Sequence, residues 1–307
     1  MTAVAVLALA PDSAVHAEPS RAEIQQRIDR ESRVLSGIVE GYNKANEELK
    51  ITRSAVASHA AGLPALRRKL AVAEADVDTI AASAYKSGRL RAVEAVLSPR
   101  GPAAMADRLG ALDHLARGRQ ADIATFTAAR RRHDGEQQRL DRALARQNVQ
   151  LRDLARRKKK IEADLKRLYA LRRTAFGREQ ESGSRYTGSV PAVSGRSGAV
   201  VRYAYNAIGT PYVWAADGPN GYDCSGLTSA AWRAGGRRLP HNAAMQWSTV
   251  THIRRGELVP GDLVFYAGLG HVALYVGNGR VIHAPTFGRR VQLADVDMMR
   301  PYGYGRV

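Results

Sequence analysis

The chain carries a single cysteine in 307 residues. One thiol rules out an internal disulfide framework, so Cys224 is either an inert buried side chain or a reactive one. Aromatic residues make up only 6%, too few for one large globular core and suited to a long helical stretch. Glycine and proline are scarce between residues 18 and 176, which leaves little there to interrupt a helix. Acidic residues are in deficit, 29 against 47 Lys and Arg, for a net charge of +18. That balance favours an anionic partner: nucleic acid, anionic lipid or anionic wall polymer. Neither a zinc finger nor an aromatic RNA-binding signature is present, so nucleic acid is not expected. No apolar run is long enough to span a bilayer. The apolar segment Met1–Ala10 with Val15-His16-Ala17 after it reads as the remnant of a secretory signal, residues 1–17, without the usual basic start. A secreted or wall-associated protein is expected.

Composition divides the remainder into three parts. Residues 18–176 are rich in Ala, Leu, Arg and Glu. Leu35, Tyr42, Leu49, Val56, Leu63, Leu70 and Val77 share one heptad position. Ile38, Ala45, Thr52, His59, Leu66, Ala73 and Ile80 fall three residues later, which is the spacing of a coiled-coil seam. A second periodic stretch runs through Leu140, Leu144, Leu151, Leu154, Ile161, Leu165 and Leu168. The breakers at Ser87-Gly88 and Ser98-Pro99-Arg100-Gly101-Pro102 between the two predict a turn region with short helices and an antiparallel hairpin. The basic cluster Arg156–Lys160 reads as a solvated helix face. Residues 177–198, rich in Ser, Gly and Arg, read as a flexible linker.

All three tryptophans lie beyond that linker, in a stretch of about 110 residues suited to a compact domain. Helices are expected at Ala199–Ala207, from Cys224 to about Ala234, and near Ala243–Thr249. Strands are expected at Asp262–Tyr266, His271–Val276, Arg280–Ala284 and Arg290–Leu293. Helices first and an antiparallel sheet after is an α+β layout.

A cysteine nucleophile works as its thiolate, which free N–H groups and the dipole of a helix's first turn stabilise. Cys224 sits at such a junction, between Asp223 and Ser225-Gly226, where backbone N–H groups also suit an oxyanion hole. Its base should be a histidine. His271 opens an alternating strand, and Gly277-Asn278-Gly279 reads as a three-residue hairpin loop. Under that register Val276 faces Arg280 and Ala273 faces His283. His271 is then a diagonal neighbour of His283 on one face, while Val272, Leu274, Val276, Ile282 and Ala284 form the opposite, core face. Either histidine alone is more simply structural. The pair with a helix-start cysteine upstream favours a catalytic set. As metal ligands the three are incomplete, so neither metal nor cofactor is expected.

The segments Gly209-Thr210-Pro211-Tyr212-Val213-Trp214, Asp223-Cys224-Ser225-Gly226-Leu227, Pro260–Phe265, His271-Val272 and Val281–Ala284 resemble, in order, the motifs of the NlpC/p60 family. The resemblance covers residues 199–307 and implies a papain-like fold there. It implies a peptidoglycan endopeptidase that cuts stem peptides between D-glutamate and meso-diaminopimelate. It further implies Cys224 as nucleophile, His271 as base, His283 as the residue orienting it, Tyr212 beside the oxyanion hole, and Asp223 and Ser225 lining the cleft. Ala215-Ala216 and His241-Asn242-Ala243 depart from the family's usual residues at those places. The helical half is similar to the coiled-coil regions of actinobacterial and streptococcal wall hydrolases, which restrain the catalytic domain or dock to a division-associated membrane complex. Ala84–Gly88 and Ala95–Ser98 resemble the break between their helices. A linker of about 20 residues spans roughly 25 Å and keeps the two halves at high local concentration. A hairpin helix lying across the cleft near Cys224 is therefore expected to restrain it. The rival reading is a non-catalytic wall-binding regulator or adaptor acting through the coiled coil, which should have lost Cys224 or His271. A third keeps the scaffold but runs amidase or acyltransferase chemistry.

Overall fold

The computed structural model describes residues 20–97, 102–177 and 185–307. The expected signal remnant therefore lies outside the described residues. Two helices come first, α1 (Arg21–Leu97) and α2 (Pro102–Phe176). The described residues form two compact units: the chain through Lys44 together with Arg156–Val307, and Ala45–Ala155.

In the second unit, His59 Nδ1 meets Glu136 Oε1 at 2.6 Å. In the first, a Cβ at Gly41 would touch the Arg157 guanidinium at 3.0 Å. Each contact brings α1 and α2 together within its own unit. None of the expected seam positions on α1 is exposed, and Leu35, Leu49, Leu63 and Ala73 are fully buried. On α2 the seam differs. Leu140, Gln147, Leu154 and Ile161 point inward, while Leu144 and Leu151 are exposed. A strict seven-residue step decides the face there, and the nearest leucines do not.

The breakers at Ser87-Gly88 do not break the helix, nor does Pro64 end it; α1 runs on to Leu97. One glycine costs a helix about 1 kcal/mol, too little to stop one this long. The expected short helices are absent among the described residues, and residues 98–101 lie outside them.

The C-terminal part begins earlier than expected, with α3 at Gly195–Ala207. Ahead of it the Tyr186 ring packs on Tyr205 at 4.8 Å. Helices α4 (Cys224–Ala234) and α5 (Ala243–Thr249) fall where the sequence places them. The strands are β1 (Thr251–Ile253), β2 (Leu263–Tyr266), β3 (His271–Gly277), β4 (Arg280–His283), β5 (Gln292–Asp295) and β6 (Pro301–Arg306). They form one antiparallel sheet in the order β1-β6-β2-β3-β4-β5.

One face of the sheet, with Val272, Leu274, Val276 and Ile282, packs with Leu227 and Ala231 of α4 and Val200 and Ala204 of α3. Ile28, Leu35 and Val39 of α1 and Ile161 and Leu165 of α2 join the same core. The other face holds a smaller cluster of Val264, Tyr266, Ala273 and Val281.

Strands β1 and β6 escaped the sequence reading. Pro301-Tyr302-Gly303-Tyr304-Gly305 has the composition of a turn, yet its glycines are packing residues. A Cβ at Gly303 would sit 2.5 Å from the Trp247 ring. That ring is stacked on His252 at 3.6 Å and edge-on to Phe265, so it has nowhere to retreat. Gly303→Ala is expected to cost about 1–3 kcal/mol by overpacking, read as a lower midpoint in thermal unfolding; an unchanged midpoint would show that Trp247 moves freely.

Candidate active site

Cys224 is the first residue of α4. Asp223 starts that helix: its backbone is extended and its Oδ1 accepts from the Gly226 amide at 2.7 Å. Gly226 is required, since a Cβ there would lie 2.1 Å from the Ala216 carbonyl oxygen. The Cys224 sulfur is buried and accepts a hydrogen bond from the Val272 amide at the start of β3. The residue before it, His271, places Nε2 3.0 Å from His283 Nδ1, with both rings buried. Leu274 pairs with Ile282 and Tyr275 with Val281, the expected register. The loop is tighter than expected, however. Gly277 pairs with Arg280, leaving Asn278-Gly279 as a two-residue turn with φ of 52° and 68°. The resulting irregularity lies beyond the histidines and does not disturb them.

Tyr212 is buried, its ring edge-on to Phe287 at 4.7 Å, and its amide donates to the Arg289 carbonyl at 2.9 Å. Ser225 is buried behind Cys224, and its carbonyl accepts from Gln246 Nε2 at 2.9 Å. Asp223 is also buried; beyond its cap it meets His241 Nε2 at 2.7 Å.

Four participants were not legible in the sequence. Gln292 Nε2 lies 3.4 Å from His283 Nε2, beyond the first histidine pair. The others, Glu40, Asn43 and Asn242, form one cluster in which α1 meets α4 and the start of α5. Glu40 Oε1 receives the Ser225 hydroxyl at 2.7 Å and lies 3.4 Å from the Cys224 sulfur. Glu40 Oε2 receives the Asn242 amide at 2.8 Å and the Ala243 backbone N–H at 2.7 Å. Asn43, one turn on, donates to Asp223 Oδ2 at 2.8 Å, and Tyr42 packs edge-on to Trp214 at 5.3 Å.

Residues 209–303 match the NlpC/P60 family. The chain carries an NlpC/P60 domain. A probable endopeptidase of Mycobacterium tuberculosis is 26% identical over 83% of this chain and 80% of its own length. A probable endopeptidase of Corynebacterium glutamicum is 46% identical over 28% of this chain and 42% of its own. Among solved structures, the NlpC/p60 domain of the peptidoglycan hydrolase SagA is 36% identical, covering 36% of this chain and 98% of that one, with a TM-score of 0.34. The family match and the curated relatives make this chain's domain a hydrolase of the cysteine-peptidase type.

Electrostatics in the NlpC/P60 domain follow from burial. Burial, then the charges of Glu40 and Asp223, push the Cys224 thiol well above its usual range. Burial holds His271 down, to about 4, opposed by Asp223. His283 is lowered further by burial, by His271 and by Arg289. Burial thus favours the neutral thiol at Cys224 and the neutral imidazole at His271. Glu40 is pushed up to about 7 by burial and then by the Asp223 carboxylate. His241 rises through Asp223, against the effect of burial. Among the described residues no group of three or more His, Cys, Asp or Glu side chains is placed to hold a metal ion.

Proposed function

We propose that the NlpC/P60 domain is a peptidoglycan endopeptidase cutting stem peptides at the D-glutamate–meso-diaminopimelate bond, exported to the cell wall and held shut by α1. Cys224 is the nucleophile, His271 the base and His283 the residue that orients it. Tyr212 stands beside the oxyanion, and Asp223 and Ser225 line the substrate cleft, Asp223 also capping the nucleophile's helix. The observation that carries the reading is the His271–His283 contact at 3.0 Å, set beside the amide that bonds the Cys224 sulfur.

The chemistry follows from those positions. His271 takes the thiol proton as sulfur attacks the peptide carbonyl. The oxyanion forms among the N–H groups at the start of α4. The C–N bond breaks as His271 returns the proton to the departing amine, and water then hydrolyses the thioester with His271 again as base. For this the free lone pair of neutral His271 must face sulfur. Its other nitrogen then donates to His283 Nδ1, so His283 carries its proton on Nε2 and needs an acceptor, which Gln292 supplies once its side-chain amide is turned so that the oxygen takes the place of the Nε2 lying 3.4 Å away. Three graded effects are expected: His271→Ala loses about 10³-fold or more in kcat, His283→Ala about 10²-fold, and Gln292→Ala less than either. Initial rates on one stem peptide check this order, and a His271 variant faster than the His283 variant would reverse the two roles.

The closed state rests on the Glu40 cluster. A carboxylate 3.4 Å from the sulfur opposes thiolate formation, and α1 stands where a peptide must enter. A partner acting on the hairpin, such as a division-associated membrane complex, would open the site by drawing this stretch of α1 away. The reading is tested by digesting purified peptidoglycan with the full chain and weighing the products. Fragments bearing a new free amine on diaminopimelate are expected. Products from glycan or amide cleavage alone would overturn the endopeptidase reading.

A further inference from the structure

A cavity of about 430 Å³ lies against the histidine pair. Its walls include His271 and His283, then Thr286, Arg289 and Gln292, with Met298 and Met299 also lining it. The near end of α1 lines it too, through Asp29 and Arg33. We infer that this cavity receives the leaving half of the substrate peptide, and that Arg289 and Thr286 select there a residue with a carboxylate at the end of its side chain.

The position follows from the proposed reaction, on which this inference rests. His271 hands its proton to the departing nitrogen, so the residue bearing that nitrogen must occupy space beside His271. The cavity is such a space among the described residues.

Its chemistry is mixed in the manner of a specificity site. Met298 and Met299 offer soft apolar surface to a methylene arm. Arg289 brings a cation whose charge is felt at His283. A guanidinium is the side chain best shaped to hold a carboxylate by two parallel hydrogen bonds. Thr286 Oγ1 is buried without a hydrogen-bond partner, a state proteins seldom leave unfilled. A substrate carboxylate would supply the missing acceptor.

The wall is also fixed in place. Val291 donates to the Thr210 carbonyl at 2.8 Å, Gly209 donates to the Val291 carbonyl at 2.9 Å, and Tyr212 donates to the Arg289 carbonyl at 2.9 Å. The segment carrying Thr286 and Arg289 is thereby tied by its backbone to the loop carrying Tyr212. Specificity on the leaving side and the oxyanion side would then be held by one framework.

The test compares two synthetic stem peptides, one with meso-diaminopimelate and one with lysine on the leaving side. These differ by the side-chain carboxylate alone. Binding is measured by calorimetry on the full chain in a Cys224→Ala, Glu40→Ala background, which neither cuts the peptide nor holds α1 through the Glu40 carboxylate. The diaminopimelate peptide should bind about tenfold tighter or more, as expected for a charge-assisted pair. Arg289→Gln should remove that preference while leaving the lysine peptide within about twofold, Arg289→Lys should restore part of it, and Thr286→Val should weaken only the diaminopimelate peptide, by about threefold or more. A preference that survives Arg289→Gln, an equal loss on both peptides, or no binding of either would overturn the inference. Hydrolysis with Cys224 intact separates the two readings. Discriminating binding without cleavage would sink the peptidase reading and spare this one. Cleavage without any dependence on Arg289 would do the reverse.

Discussion

Cys224→Ala should lower hydrolysis of a stem peptide by at least about 10⁴-fold, to a rate set by binding groups alone. The loss should come without unfolding. Cys224 is 4% exposed and belongs to the large apolar core, and among the described residues its sulfur is linked to the Val272 amide and the Glu40 carboxyl. Removing the sulfur deletes one atom, at a cost of about 1 kcal/mol or less after the Glu40–thiol contact is lost. Thermal unfolding should therefore shift by only a few degrees. Alanine cannot form an acyl-enzyme, and no second thiol exists in the chain to replace it. Residual activity within tenfold of the parent would sink the mechanism outright.

The second large effect has the opposite sign. Glu40→Ala should raise the activity of the full chain by about 30- to 100-fold. Truncation leaves the Ala243 N–H buried without its acceptor and takes from the Asn242 amide one of its two, the Glu40 main-chain carbonyl remaining, at about 1–3 kcal/mol for such a loss. Every part of that cost falls on the seated state, because an undocked α1 exposes these groups to water. A shift of about 2–3 kcal/mol moves the open population by the stated factor. Alkylation of Cys224 should accelerate in parallel, since the thiol loses both its cover and the charge that suppresses ionisation.

Acidity should act through the same side chain. Glu40 is faced by Asp223 and Cys224 on α4, by His241 ahead of α5, and by Asn43 on its own helix. Its pKa of about 7 when seated exceeds the ordinary 4.5, so docking takes up a proton. Docking is then tightest below the ordinary value, weakens by up to about tenfold per pH unit as pH rises, and levels off above about 7. Glu40→Gln, a permanent stand-in for the protonated form, should flatten that dependence. Equal hydrolysis and equal alkylation in parent and Glu40→Ala would leave α1 without a restraining role.

The histidine pair could be read from the sequence because a strand alternates with a period of two. Once Val272, Leu274 and Val276 are assigned to the core, His271 and His283 have one face left to share. Glu40 could not be read by the same means. With Leu35 and Tyr42 on the inner edge of the α1 seam, Glu40 and Asn43 fall at outer positions, where a heptad predicts solvent. They are 6% and 2% exposed because that outer face meets Ser225, Asp223 and Asn242. A coiled-coil period describes one partner of a helix, and α1 has two. Gln292 was hidden differently. Its strand is short, with intermediate burial, and nothing in its spacing from His283 marks a contact that depends on how β5 pairs with β4.

Ile28, Leu35 and Val39 belong to the same apolar core as Leu227 and Val272. That continuity sets what a protease can accomplish. A cut anywhere between Phe176 and Gly195 severs the covalent link to the catalytic domain but leaves these side chains in place. The freed helices become an ordinary inhibitor, and the tether no longer sets their effective molarity. Occupancy then follows the law of mass action: a concentrated digest stays silent, and the same digest wakes on dilution, or in a wall where the released fragment diffuses away.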